Sequence, residues 1–289
     1  MIASSLSETA SDLTTSVLMC TYAGDDPDQL AACLDSLIGQ SKQADEIVLV
    51  CDGPLPASVD NVVIRYDKAV AVLRVIRCEH NRGLVAALNE GLRHCSGDVV
   101  LRMDSDDLAH QDRIKLQVSY LTQHEAIGVL GTSMQEFTGH DVSQVRLKPV
   151  AMTHAEILKQ MPWRNPMNHP TVAIRRDLLV KAGGYPDLKY LEDYFLWARL
   201  AVCGVRMANL DRPLVLYRFD DQTLARRGGW LNLRHEMYLR WWMYRHRLMG
   251  PVTLMATLLS QVVLRLAPLG VRRWLWRRSR VSSQTDPVS

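Results

Sequence analysis

At 289 residues, with 47% apolar and 22% charged side chains, the chain holds enough apolar material for one large α/β domain or two small ones. Its net charge of +3 gives no general reason to expect a nucleic-acid partner, and its basic cluster is terminal and joined to an apolar stretch instead of spread over a groove. Six cysteines show neither a CxxC pair nor metal-finger spacing and several lie in apolar runs, so they read as reduced, packed thiols.

The first sixteen residues, MIASSLSETASDLTTS, carry acids and hydroxyls but no basic start or apolar run. They do not resemble a secretory leader, so the chain reads as cytoplasmic, with residues 1–15 disordered. SVLMCTY (16–22) is a β-branched, apolar run entering the polar turn AGDDPD, which predicts a buried first strand and a helix start. Leu30, Leu34, Leu37 and Ile38 then recur at helical spacing. EIVLVCDG (46–53) is continuously apolar up to an acid and a glycine, as expected of a central parallel strand ending at a site. VLRVIR (72–77) predicts a third strand, residues 84–95 a helix with Leu84, Leu88 and Leu92 on one stripe, and DVVLRMD (98–104) a fourth strand.

Strands alternating with helices of about a dozen residues predict right-handed βαβ units, hence an α/β, Rossmann-like, mostly parallel sheet flanked by helices. Ligands of such sheets sit beyond the carboxyl ends of the strands. Three polar signals meet there: Thr21 and Tyr22 after the first strand, Asp52 and Gly53 after the second, and the acids of 104–107 after the fourth. Beyond residue 125 the pattern is mixed, with short strands near 127–131, 171–175 and 214–219 and helices near 154–160 and 191–203. This half reads as the acceptor-facing part of the same domain, which is taken to run over 16–225.

Residues 226–280 read as a C-terminal helical, basic extension, and 281–289 as a disordered tail. Within the extension VTLMATLLSQVVL (252–264) is too short to span a bilayer. Six arginines and no acid follow between Arg265 and Arg280, interleaved with Trp274 and Trp276. Such a segment suits the headgroup zone of a membrane and is expected to hold the chain peripherally at the inner face of the cell membrane; the alternative is a helix covering the domain's own core or a dimer partner.

Asp104, Asp106 and Asp107 end an apolar strand within four positions, where their repulsion calls for a cation. Hard oxygen ligands of this kind suit Mg²⁺ or Mn²⁺ bridging phosphate oxygens. The alternative is a solvated helix start, with Asp106 or Asp107 capping a helix that begins near His110. Asp52 can accept hydrogen bonds from a base edge or a ribose, or simply form an Asp-Gly turn. In Asn81-Arg82-Gly83, Arg82 can reach a phosphate and Gly83 permits close approach, although a plain loop-to-helix junction is equally compatible. Glu192 and Asp193 open an amphipathic helix, where acids favour the dipole and where one of them is also placed to act as a general base.

Taken together, SVLMCTYAGDD, VLVCDG, NRGLVAALNEGL, GDVVLRMDSDD, NHPTVAIRR, AGGYPD and LEDYFLWARL resemble a family 2 glycosyltransferase with the GT-A fold, over roughly 16–220. More narrowly they resemble the non-processive bacterial enzymes of O-antigen and exopolysaccharide synthesis. The resemblance implies a nucleotide-sugar donor, a saccharide or lipid-linked oligosaccharide acceptor, and Mn²⁺ or Mg²⁺. It implies that Thr21, Tyr22 and Asp52 meet the nucleoside, that Arg82 and Gly83 lie near its pocket, and that Asp104 and Asp106 are the two acids of a DxD motif. It further implies Asp193 as catalytic base with Glu192 beside it, and His169 near the donor sugar or diphosphate. The QxxRW motif of processive members is absent: after Asp221 the chain reads QTLARRGGW, so transfer of a single sugar is expected, with Arg226 and Arg227 as diphosphate contacts. A nucleotidyltransferase would carry a Gly-rich, basic loop where this chain has AGDDPD, and a catalytically dead nucleotide-sugar-binding scaffold would have no need of Asp104, Asp106 and Asp193.

Overall fold

The first strand, β1 (Thr15–Thr21), is buried along almost its whole length because both of its faces are covered, which is why its sequence does not alternate. It leads into α1 (Pro27–Ile38), started by Asp26, whose carboxylate accepts the N–H groups of Asp28 at 2.9 Å and Gln29 at 3.1 Å, with Pro27 at the first helical position. Such a cap stabilises by about 1 kcal/mol. Burial of Leu30, Leu34 and Leu37 against the sheet adds roughly 2 kcal/mol apiece.

β2 (Glu46–Cys51), α2 (Ala57–Ala69), β3 (Leu73–Arg77), α3 (Leu84–His94) and β4 (Val99–Met103) continue the alternation. There follow β5 (Leu108–Ala109), α4 (Arg113–Gln123), β6 (Ile127–Thr132), the hairpin β7 (Met134–Thr138) and β8 (Asp141–Lys148), and α5 (His154–Gln160). A 3-10 turn over His169–Thr171 leads to β9 (Ala173–Arg175), α6 (Arg176–Lys181), α7 (Glu192–Val202), β10 (Arg206–Leu210) and β11 (Val215–Arg218). The chain closes with α8 (Trp230–Arg245), α9 (Pro251–Leu266) and β12 (Val281–Ser282). The computed structural model describes residues 13–138, 141–219, 230–266, 270–271 and 281–282.

The main sheet has seven strands in the order β10-β6-β9-β4-β1-β2-β3. β1 pairs in parallel with β2 and β4, β2 with β3, and β6 with β10, while β9 runs antiparallel between β4 and β6. The mostly parallel α/β sheet expected from the sequence is thus present, and its carboxyl edge collects the ends of β1, β2, β4, β6 and β10 together with the start of β9. A second sheet, β12-β8-β7-β11-β5, is built from the later, mixed half with the short β5 added, and was not foreseen. One core lies between the main sheet and α3, α7 and α8, around Trp197; the other packs α1, α2 and α4 on the opposite face.

Three boundaries differ from expectation. Thr15 already belongs to β1, and Val281 and Ser282, at the head of the tail read as disordered, pair with Leu147 and Arg146 of β8. The helix expected near His110 starts at Arg113 with Asp112 before it, so neither Asp106 nor Asp107 caps it. Leu239 and Met243 of α8 and Leu254 of α9 join the core around Trp197, so the extension packs on the domain. All six cysteines are free.

Candidate active site

Asp52 sits just past β2, buried, and its two carboxylate oxygens accept the N–H groups of Arg82 at 2.8 Å and Gly83 at 2.9 Å. The turn and the loop-to-helix junction, read separately in the sequence, are therefore one clamp. Gly53 is required in it: its φ is +89°, and a Cβ there would lie 2.6 Å from the backbone nitrogen of Asn81. Gly83 has φ +86° and open space where a Cβ would stand, so it presents bare backbone ahead of α3. Arg82 is exposed, 3.5 Å from Glu90. Thr21 is buried and offers its carbonyl to the N–H of Asp52 at 2.8 Å. Tyr22 is 45% exposed, its ring over Gly24.

The acidic segment after β4 is divided in its bonding. Asp104 pairs with the buried guanidinium of Arg102. Ser105 donates its hydroxyl to Asp25 at 2.7 Å. Asp107 is fully buried and accepts the N–H of Arg218 at 2.8 Å, while its second oxygen has no hydrogen-bond partner; burial, reinforced by Asp104 and Asp106, pushes its carboxyl well above the ordinary range. Asp106 lies beside it, with its carbonyl accepting from the Arg218 guanidinium at 3.2 Å, and burial together with the neighbouring Asp104 pushes its carboxyl up to about 6. A carboxylate that is disfavoured in this way gains from a cation.

Among the described residues no three His, Cys, Asp or Glu side chains form a complete metal-ligand set. Asp104 and Asp106 nonetheless fit a cation of the Mg²⁺ type, which is usually held by one or two carboxylates and completes its shell with water and phosphate oxygens.

On the other side stands the start of α7. Asp193 accepts the amide of Asn165 at 2.6 Å on one oxygen and the N–H of Tyr194 at 2.7 Å on the other, which fixes its orientation. Glu192 is pushed up to about 7, first by burial and then by Asp193, with Arg102 opposing the shift and Asp104 adding to it. Glu192 thus feels the residues that end β4. His169 does too: burial, with Arg102 nearby, holds its imidazole neutral, its ring faces Tyr185 at 5.3 Å, and its Nε2 is buried without a partner. It therefore brings hydrogen-bonding capacity but no charge.

Arg102 is the hub that sequence reasoning did not assign. A basic residue inside an apolar strand was the available signal, since a buried charge needs partners. Asp25, Asn165 and Arg218 carry no comparable local signal. Arg226 and Arg227 lie outside the described residues.

Residues 16–183 match the family model described as Glycosyl transferase family 2. The chain belongs to the family 2 glycosyltransferases. Over 262 residues this glycosyltransferase is 37% identical to an uncharacterized glycosyltransferase of Haemophilus influenzae, covering 91% of the chain and 97% of the relative. It is 35% identical to the amylovoran biosynthesis glycosyltransferase AmsE of Erwinia amylovora, over 92% and 98% of the two chains. It is 29% identical to the UDP-Gal:alpha-D-GlcNAc-diphosphoundecaprenol beta-1,3-galactosyltransferase of Escherichia coli, over 91% and 95%. Among solved structures it resembles S. aureus TarS 1-349 in complex with UDP-GlcNAc, with a TM-score of 0.64 at 20% identity, over 87% of this glycosyltransferase and 73% of TarS 1-349. A longer TarS chain is covered over 44% of its length. Mannosyltransferase PcManGT from Pyrobaculum calidifontis, solved with GDP-Man and Mn²⁺, follows at a TM-score of 0.54, 18% identity, and coverage of 92% and 80%. The fold is GT-A.

Proposed function

We propose that this glycosyltransferase moves one sugar from a UDP-linked donor to a hydroxyl of a lipid-linked saccharide, with inversion at the anomeric carbon, in cell-surface polysaccharide biosynthesis. The observation that carries the reading is that Asp104 and Asp106 follow the end of β4, while Asn165, which holds Asp193 at 2.6 Å, lies three residues before Asn168, whose amide meets the carbonyl of Thr132 at the end of β6. A UDP donor is supported by the names of the E. coli relative and of the TarS complex, and a lipid-linked acceptor by the former.

In this reading Asp193, held by Asn165, takes the proton from the acceptor hydroxyl as that oxygen bonds to the anomeric carbon. The bond from that carbon to the diphosphate oxygen breaks, and its electron pair leaves with the nucleoside diphosphate. Thr21, Tyr22, Asp52, Arg82 and Gly83 line the nucleotide side, the neutral His169 meets the donor sugar, and Asp104 and Asp106 hold the cation. A bound Mn²⁺ or Mg²⁺ supplies positive charge to the departing diphosphate. Proton removal and leaving-group stabilisation are each worth on the order of a hundredfold or more in rate.

The test is a pair of variants assayed against a panel of nucleotide sugars. Asp193→Asn is expected to lose at least about a hundredfold in turnover while donor affinity stays near that of the parent; loss of donor binding instead would remove Asp193 from its role. Asp106→Ala is expected to abolish the metal dependence of donor binding, and metal-independent transfer by the parent protein would refute the cation.

A further inference from the structure

The nucleotide-side residues gather over β1, β2 and β4, whereas the ends of β6 and β10 and the start of β9 lie under residues 149–168. There the surface carries an open groove of about 440 Å³, lined by Val150, Ala151, Lys159, Gln160, Trp163 and Arg164. Its volume is that of a site for a small ligand. Two bonds fix its place. Asn209, on β10, donates its amide to the carbonyl of Ala151 at 2.6 Å. Asn165, next to Arg164, donates to Asp193 at 2.6 Å. Residues 160–165 therefore form the wall of the groove on one side and support the acid of α7 on the other.

The lining has a definite chemistry. Trp163 leaves 51% of its surface in water beside Val150 and Ala151, an aromatic platform on which the C–H face of a pyranose can lie. Lys159 and Arg164 are exposed on the same wall, Arg164 steadied by Gln160 at 3.2 Å. Glu156 also lines the groove, its Oε2 turned to the N–H groups of Met152 at 3.1 Å and Thr153 at 3.0 Å. Lys159 and Arg164 set two positive charges against the one negative charge that Glu156 keeps, and an arginine fork suits phosphate oxygens.

We propose that this groove is the acceptor subsite: a saccharide stacks on Trp163, and the diphosphate that carries it is held by Lys159 and Arg164. The assignment rests on the glycosyl-transfer reading above and adds to it the acceptor's chemical class and the residues that select it.

The whole chain labelled with 5-fluorotryptophan provides the test, the Trp163 resonance being the one lost in Trp163→Phe among the seven tryptophans. Titration with N-acetylglucosaminyl diphosphate is expected to shift that resonance saturably. Lys159→Ala with Arg164→Ala should weaken this binding by about tenfold and leave methyl N-acetylglucosaminide unaffected, whereas Trp163→Ala should weaken both. Affinity for UDP should be the same in every variant. A Trp163 resonance that stays fixed through the titration, or equal affinity in the double variant, overturns the subsite. Sugar transfer with the groove silent overturns this inference alone, and a shifting groove in a protein that transfers no sugar overturns the enzymatic reading alone.

Discussion

Glu192 shows how a single carboxyl records the design of the site. Its ordinary value of 4.5 is pushed up to about 7 by burial and by Asp193, so the folded chain holds the proton more tightly than the unfolded one. The stability gained from the neutral acid is full below about 4.5 and is lost as pH rises through about 7. Glu192→Gln should therefore raise stability at pH 8 by about 1–2 kcal/mol, after allowance for its partial exposure to solvent. At pH 4 it should change nothing. Thermal melts of parent and variant at the two pH values check this, and equal melting points at pH 8 would count against it. Like the unpaired oxygen of Asp107, this is stability forgone where charge is used. The acids themselves were legible in the sequence, because three in four positions at a strand end have few innocent explanations. Their division of labour was not: Asp107 turns inward to Arg218, a residue 111 positions away, and no local pattern announces that pairing.

The same split holds for the elements. β1, β2 and β4 were readable because strands buried on both faces are apolar along most of their length; within β4 Arg102 is the exception. The second sheet was not, since β5 has two residues and β11 four, and their pairing is decided by contacts far apart in sequence. α8 is another such case. On its buried face Glu236 and Arg240 form an ion pair, and Arg240 lies 5.3 Å from the ring of Tyr194, the neighbour of Asp193. His235 contacts the carbonyl of Lys189 at 3.0 Å, just before Tyr190, which is held at φ 69° ahead of α7. α8 thus braces the start of α7 from outside. Arg240→Ala, which removes the cation paired with a buried carboxylate, should cost about 3–5 kcal/mol in urea unfolding, whereas Glu236→Leu combined with Arg240→Met should come within about 1 kcal/mol of the parent. A single variant as stable as the parent would show that the pair contributes nothing to the brace.

At the scale of the molecule, the question is what the outer face of the C-terminal helices is for. No helix among the described residues is long and apolar enough to cross a membrane. Yet on α9 Val252, Met255 and Leu259 are 82%, 67% and 68% exposed at helical spacing, and on α8 Trp230 and Trp241 are 72% and 53% exposed. A second copy of the chain docked on the same face would bring like charge to it, because α8 ends on the exposed Arg245, with the exposed Arg247 just beyond. An anionic lipid surface offers the complement, with roughly 1 kcal/mol for each basic residue near it and added burial of the apolar ridge. We therefore expect the protein to sediment with vesicles of phosphatidylglycerol and phosphatidylethanolamine, less so as salt is raised, and hardly at all with phosphatidylcholine. Val252→Asp, Met255→Asp and Leu259→Asp together should release it while leaving the far-ultraviolet spectrum and UDP binding unchanged. Undiminished sedimentation of the triple variant would show that the ridge is not the contact. A parent protein that ignores the anionic vesicles and sediments by itself as a dimer would hand the face to a second copy, against the charge argument.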